Sequence, residues 1–162
     1  MRITSPTPYA STDDFRRIFV QDKDELSQLS FLLTGDQQKA EQCFVSGLEN
    51  PVRGNRVFKE WERSWARRAI IQCAVRVIDP RPMEEGSSSS KSSGNTPVLE
   101  RAIAATRELE PFERFVYVTS VLEHYSDQDC SVLLDCALQN VIAARARALQ
   151  RMGATELTFS AR

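Results

Sequence analysis

Apolar positions recur along this chain at helical intervals, in runs that stop at glycine, proline or an aspartate. In "DFRRIFVQDKDELSQLSFLLTGD" the residues Phe15, Ile18, Phe19, Leu26, Leu29, Leu32 and Leu33 share this spacing, which predicts one helix. Thr34-Gly35-Asp36 ends it, with glycine as the C-terminal cap and an acidic residue to open the next helix. "DQQKAEQCFVSGLEN" continues with Ala40, Cys43, Phe44 and Leu48 on one face, until Asn50-Pro51 breaks it. "NRVFKEWERSWARRAIIQCAVRVI" predicts a long helix whose repeating positions are Val57, Phe58, Trp61, Trp65, Ala69, Cys73 and Val77. Asp79-Pro80 closes it.

The second half has the same character. "TPVLERAIAATREL" opens on Thr96-Pro97, a cap followed by proline at the first helical position. Pro111 starts another helix, with Phe112, Phe115, Val116, Val118, Thr119 and Leu122 mostly inward. Ser126 with Asp129 three residues on is a capping box for "DQDCSVLLDC", and a longer helix follows a short turn. No strand-like alternation and no repeat of solenoid length interrupts this pattern. Between the halves, "DPRPMEEGSSSSKSSGNTP" has little to bury and reads as a flexible tether. The expected architecture is all-α. Two small helical domains, 10–79 and 97–153, are joined by a Ser/Gly-rich linker, 80–96, and the second ends in a helix-turn-helix.

Composition narrows the chemistry. Hydrophobic residues make up 41% and charged residues 27% of the 162, as in ordinary globular chains. The 4 cysteines, Cys43, Cys73, Cys130 and Cys136, form no CxxC pair, and His124 is the lone histidine, so no metal site is expected. The cysteines read as small core residues in a reducing cytoplasm, with a redox pair at Cys130 and Cys136 as the other reading. His124 has no nucleophile or carboxylate converging on it, so no enzyme is expected, and no cofactor. The start of the chain lacks a signal-peptide core, and no run of apolar residues is long enough to insert in a membrane. A cytoplasmic protein is the expectation.

The formal net charge is −1, so attraction to nucleic acid must come from local patches. One patch is Arg53, Arg56, Lys59, Arg63, Arg67, Arg68 and Arg76, opposed within that stretch by Glu60 and Glu62 and interleaved with Phe58, Trp61 and Trp65. Cations neutralise phosphate and aromatic faces stack on unpaired bases, as a strand-opening surface requires. The arginine density favours DNA contact over a plain solvated face. For the two tryptophans, four residues apart, a core position is favoured over stacking. A second patch, Arg145, Arg147 and Arg151, follows an acidic stretch containing Glu108, Glu110, Glu113, Glu123, Asp127, Asp129 and Asp135.

These residues resemble a family. Leu32, Leu33, Thr34, Gly35, Asp36, Ala40 and Glu41, in "FLLTGDQQKAEQCF", are similar to the first conserved segment of bacterial RNA polymerase sigma factors of the extracytoplasmic-function type. "WARRAIIQCAVRVI" lies where that family has its promoter-opening and −10-reading helix. Leu109, Pro111, Glu113 and Arg114 match its lead-in to the last domain, and "VLEHYSDQDCSVLLDC" aligns without a gap with its helix-turn-helix. Ser131 takes the small inner position, Asp135 the usual glycine of the turn, Val141 the apolar anchor, and Arg147-Ala148 the closing Arg-Ala. The resemblance covers about residues 12–152.

A divergent member is implied. The first domain would bind core RNA polymerase through Glu41, Gln42, Val45 and Ser46, and the −10 element through Arg63, Arg67, Arg68, Gln72 and Arg76. The second would contact the −35 element with Gln139, Asn140, Ala143, Arg145, Arg147 and Arg151. Gln139 and Asn140 can pair with adenine edges and the arginines with phosphate; plain polar surface is the equal alternative for the first two. Gln42, Val45 and Ser46 stand where the family has acidic and amide side chains. Gln72 replaces an Asn and Asp79 a basic residue, and Ile142 and Ala144 lie around positions usually held by Lys or Arg. Two functions follow. One is a sigma-like initiation factor whose partners are core polymerase, promoter DNA and an anti-sigma factor. The other is a degenerate sigma-like protein that binds proteins without reading promoters.

Overall fold

The computed structural model describes residues 8–49, 56–82 and 98–157, with side chains described to 153 and, after the linker, from 103. Those residues form α1 (Thr12–Gln21), α2 (Lys23–Thr34), α3 (Gln37–Glu49), α4 (Glu62–Ile78), α5 (Val98–Glu108), α6 (Pro111–Tyr117), α7 (Asp127–Leu133) and α8 (Leu138–Leu157). The fold is all-α, and no strand occurs among the described residues. The chain divides into two compact units, residues 1–31 with 36–77 and residues 32–35 with 78–162. Most of the expected tether, and the expected breaks at Asn50-Pro51 and Thr96-Pro97, lie outside the described residues.

In the first unit, α1 begins at a capping box. The Ser11 hydroxyl accepts from the Asp14 amide, and the Asp14 carboxylate accepts from the Ser11 amide at 2.8 Å. The bond from the Ser11 amide first, and then the Ser11 hydroxyl donating to Asp14 Oδ2 at 2.8 Å, hold the Asp14 carboxyl down to about 2. The single helix expected over residues 14–34 is instead two. The chain breaks at Asp22, whose backbone (φ −103°, ψ 26°) leaves the helical region. Apolar spacing continues across the break because both helices face one core, so periodicity alone does not register it. Asp36 opens α3 by accepting from the Lys39 amide at 2.9 Å, and Gly35 ends α2 at φ +65°.

Phe15, Ile18, Phe19, Leu26, Leu29, Ala40, Cys43, Ala66, Ile70, Ile71, Cys73 and Ala74 fill this unit's core. Gly47 lets α3 come close: a Cβ there would lie 3.0 Å from Ile70 Cδ1 and 3.3 Å from a Phe19 ring carbon. Burial pushes the Cys43 thiol up to about 12, with the neighbouring Cys73 adding to it, so this thiol stays protonated.

The long helix expected from residue 55 starts later. Val57 and Phe58 are extended and bridge to the Pro8–Ala10 segment, with Ala10 N–H donating to Val57 O at 2.7 Å and Lys59 N–H to Pro8 O at 3.0 Å. A 3₁₀ turn, Lys59–Trp61, leads into α4. Its buried face is Ala66, Ile70, Ile71, Cys73 and Ala74; of the expected row, Cys73 is buried, Trp65, Ala69 and Val77 are half-buried, and Trp61 is 57% exposed. The favoured core position for Trp61 is therefore overturned; Trp65 is half-buried.

In the second unit, α6 starts with Pro111 at its first turn, as expected. Phe112, Phe115, Val116, Val118 and Thr119 are buried, and Leu122 is exposed. The helix widens into a π turn over Val118–Leu122, where the Thr119 hydroxyl donates to Phe115 O at 2.7 Å. His124, in left-handed conformation at φ +59°, ends it and is exposed.

Candidate nucleic-acid interface

The helix-turn-helix is built by local chemistry. Ser126 and Asp129 form the expected capping box of α7, the Ser126 hydroxyl accepting from the Asp129 amide at 3.0 Å. At its other end, Cys136 N–H donates to Ser131 O at 3.0 Å and Asp135 N–H to Val132 O at 3.4 Å. These are the paired bonds of a Schellman motif, and they need a left-handed residue between them. Asp135 supplies it at φ +47°. Ser131 is buried where a larger side chain would separate the helices, and Val141, Ala144 and Ala148 form the fully buried stripe of α8. Cys130 is buried and Cys136 half-buried, and burial raises both thiols, so neither is a ready thiolate.

The outward face of α8 carries Leu138, Gln139, Asn140, Ile142, Ala143, Ala146, Arg147, Leu149 and Gln150, all exposed. Gln139, Asn140 and Ala143, the expected −35 contacts, are thus open to solvent on α8. Ala144 does not: it is 0% exposed, so the lack of charge there reflects core packing rather than a lost DNA contact. Ile142, 39% exposed, does occupy the outer face, where it and Leu149 put apolar surface on a helix expected to meet polyanion.

The arginines of α8 have internal partners. Arg145 Nη1 lies 2.8 Å from Asp127 Oδ1. Arg147 Nε donates to Glu113 Oε1 at 2.9 Å, and Arg151 Nη1 lies 2.9 Å from the other oxygen of the same carboxylate. Glu113 is buried, while the side chains of Arg147 and Arg151 are half exposed. The sequence shows Glu113 only as part of an acidic stretch; its pairing with Arg147, 34 positions later, and with Arg151 beyond it is a product of the packing of α6 against α8.

The first unit treats its basic residues the same way. Arg63 lies 3.2 Å from Asp22 and Arg67 3.5 Å from Glu25, while Lys59 lies 3.8 Å from Asp14. The carboxylates that oppose this patch are thus more than Glu60 and Glu62. Arg68, Gln72 and Arg76, at i, i+4 and i+8, form an exposed row on α4, and the Arg68 guanidinium lies 6.0 Å from the centre of the Trp65 ring. An aromatic set that helical spacing does not bring together stands at the start of α4. Tyr9 and Phe58 ring centres are 5.0 Å apart, Phe58 and Trp61 5.5 Å, with Arg56 over Tyr9 at 5.4 Å. On α3, Glu41, Gln42 and Val45 are exposed and Ser46 is half-buried, so these residues share one outward face.

Among the described residues no group of three or more His, Cys, Asp or Glu is placed to hold a metal ion, and no helix is long and apolar enough to cross a membrane. No family model matches the chain, and no curated protein does. Among solved structures, the chain is similar to the sigma factor RpoE from Bartonella quintana, crystallised in complex with the anti-sigma factor NepR. The TM-score is 0.52 at 16% identity, over 88% of this chain and 96% of that one. The chain therefore shares the all-helical fold of that sigma factor.

Proposed function

We propose that this chain is a sigma-like transcription initiation factor that binds core RNA polymerase and directs it to promoter DNA. The observation that carries the reading is the helix-turn-helix itself: caps, left-handed turn and buried Val141 anchor hold Gln139 and Asn140 on the outer face of α8. In this reading α8 contacts the −35 element. The exposed row Arg68, Gln72 and Arg76, with Arg63 and Arg67 beside it, engages the −10 element. Glu41, Gln42, Val45 and Ser46 on α3 meet the polymerase. Each domain holds its target weakly, and attachment to one polymerase makes the two DNA contacts cooperative. By likeness to RpoE, an anti-sigma factor joins the proposed partners, and the site of action is the cytoplasm.

A second reading has its own support. The outer face of α8 presents Leu138, Ile142 and Leu149, and its arginines are already paired with carboxylates. A sigma-like protein that binds a protein partner without reading promoters would have this surface. The test is assembly with core polymerase followed by footprinting on a promoter library. The first reading expects a complex and a −35 footprint that Gln139→Ala and Asn140→Ala erase. A complex that protects no DNA selects the second reading; no complex contradicts both.

A further inference from the structure

We infer that Glu113 is an internal counter-charge that sets how strongly α8 attracts the phosphate backbone of nucleic acid. The inference rests on the DNA-binding reading of α8. One buried carboxylate takes two guanidinium groups one helical turn apart: Arg147 through Nε to Oε1 and Arg151 through Nη1 to Oε2, each at 2.9 Å. Both arginine side chains are half exposed, so the cations face solvent while their counter-ion does not. Two arginines without such a partner would present two positive charges to an approaching phosphate. With Glu113 they present one.

Each phosphate neutralised by a protein cation releases counter-ions and steepens the salt dependence of binding by about 0.9 in log–log slope. A cation that already has an internal carboxylate contributes less of this. Glu113 also belongs to α6, outside the helix-turn-helix, so it tunes the interface without touching DNA. Its side chain acts through Arg147 and Arg151 and is a positioning residue rather than a contact.

The test is a cycle of four full-length proteins: wild type, Glu113→Gln, Arg147→Gln and the double variant. Binding to a random-sequence 20-base-pair duplex is followed by fluorescence anisotropy over a salt series, with circular dichroism to verify the fold. Glu113→Gln keeps the shape and one hydrogen-bond acceptor while removing the charge. It is expected to tighten binding several-fold and to steepen the salt slope by about 1 to 2, the contribution of one to two freed arginines. Arg147→Gln alone is expected to make the slope shallower by about 0.9, since it removes the one net charge the cluster presents, and the double variant to return close to the wild-type slope. A purely structural Glu113 would instead leave Glu113→Gln at the wild-type slope and the double variant at the Arg147→Gln slope.

If wild type binds and Glu113→Gln neither tightens nor steepens binding, the inference is overturned and the DNA reading stands. A gain that persists undiminished in the double variant overturns the inference in the same way. Should Glu113→Gln not fold, Glu113→Met, which fills the buried site without the charge, takes its place, and a slope no steeper than wild type overturns the inference. If no folded member of the set binds duplex at any salt concentration, DNA binding by free α8 is itself contradicted, and the inference goes with it.

Discussion

Helices α4 and α8 carry the same kind of arginine cluster, yet the sequence describes one better than the other. On α8 the apolar positions Val141 and Ala148 are buried as the helix-turn-helix pattern requires. On α4 the row expected to face inward begins with Trp61, which is exposed, and continues through half-buried Trp65 and Ala69 to buried Cys73, while Ala66, Ile70 and Ala74 fill the core beside it. The start of α8 is fixed locally, by the turn just before it. The start of α4 is fixed by a non-local bridge between Phe58 and Tyr9, which no window of helical spacing can register. On both helices arginines meet carboxylates from elsewhere in the same unit: Arg63 and Arg67 on α4, and Arg145, Arg147 and Arg151 on α8. A run of like charges in a sequence is thus a poor measure of the charge a fold presents.

The comparison breaks most visibly in the core. Phe115→Ala should cost about 3–5 kcal/mol, because the ring is fully buried, while Trp61→Ala should cost less than about 1 kcal/mol. Urea denaturation followed by circular dichroism measures both, and equal losses would restore Trp61 to the core. The ion pairs should differ in the same sense. Replacing Arg147 and Arg151 together by alanine strands the buried Glu113 carboxylate and should cost about 3 kcal/mol. The partners of Arg63 and Arg67 are more exposed, and Arg63→Ala or Arg67→Ala should cost no more than about 1 kcal/mol each.

Smaller effects sharpen the comparison at the helix ends. Ser131→Leu should cost about 1–3 kcal/mol by forcing α7 away from α8. Ser11→Ala removes the α1 cap and should cost about 1 kcal/mol. The cap has a pH signature. Asp14 sits at about 2 against an ordinary 3.8, so its folded value is depressed and the carboxylate favours the folded state. That contribution is complete above 3.8 and is lost as pH falls from there through about 2. Asp14→Asn should flatten stability against pH in this window, and an unchanged acid profile would contradict the cap. Smallest of all, Asp135→Gly should stabilise the turn by about 0.5–1 kcal/mol, since glycine adopts φ +47° without strain.

Much of the fold was legible because its helix ends are written in local chemistry: Gly35, Asp36, Pro111, the Ser126–Asp129 box and Asp135 each act within a few residues. The break at Asp22 was not legible, since both flanking helices supply residues to one core at compatible spacing. The interface divides in the same way. The outward placement of Gln139, Asn140 and Ala143 follows from helical geometry once Val141 is the anchor. Ala144 is paired with Ile142 in the family comparison, but two residues beyond Ile142 the helix has turned inward and Ala144 belongs to the core. The partners of Arg145, Arg147 and Arg151 were illegible because Asp127 and Glu113 reach them through tertiary packing.

The most direct measurement is run-off transcription by core RNA polymerase on a promoter library, with and without the purified chain. Sigma-like function requires transcripts that appear only when the chain is present, that initiate at a shared sequence element, and that diminish with Arg68→Ala, Gln139→Ala or Asn140→Ala. A chain that joins the polymerase and yields no transcripts above core alone would contradict promoter recognition and leave α8 as a protein-binding surface.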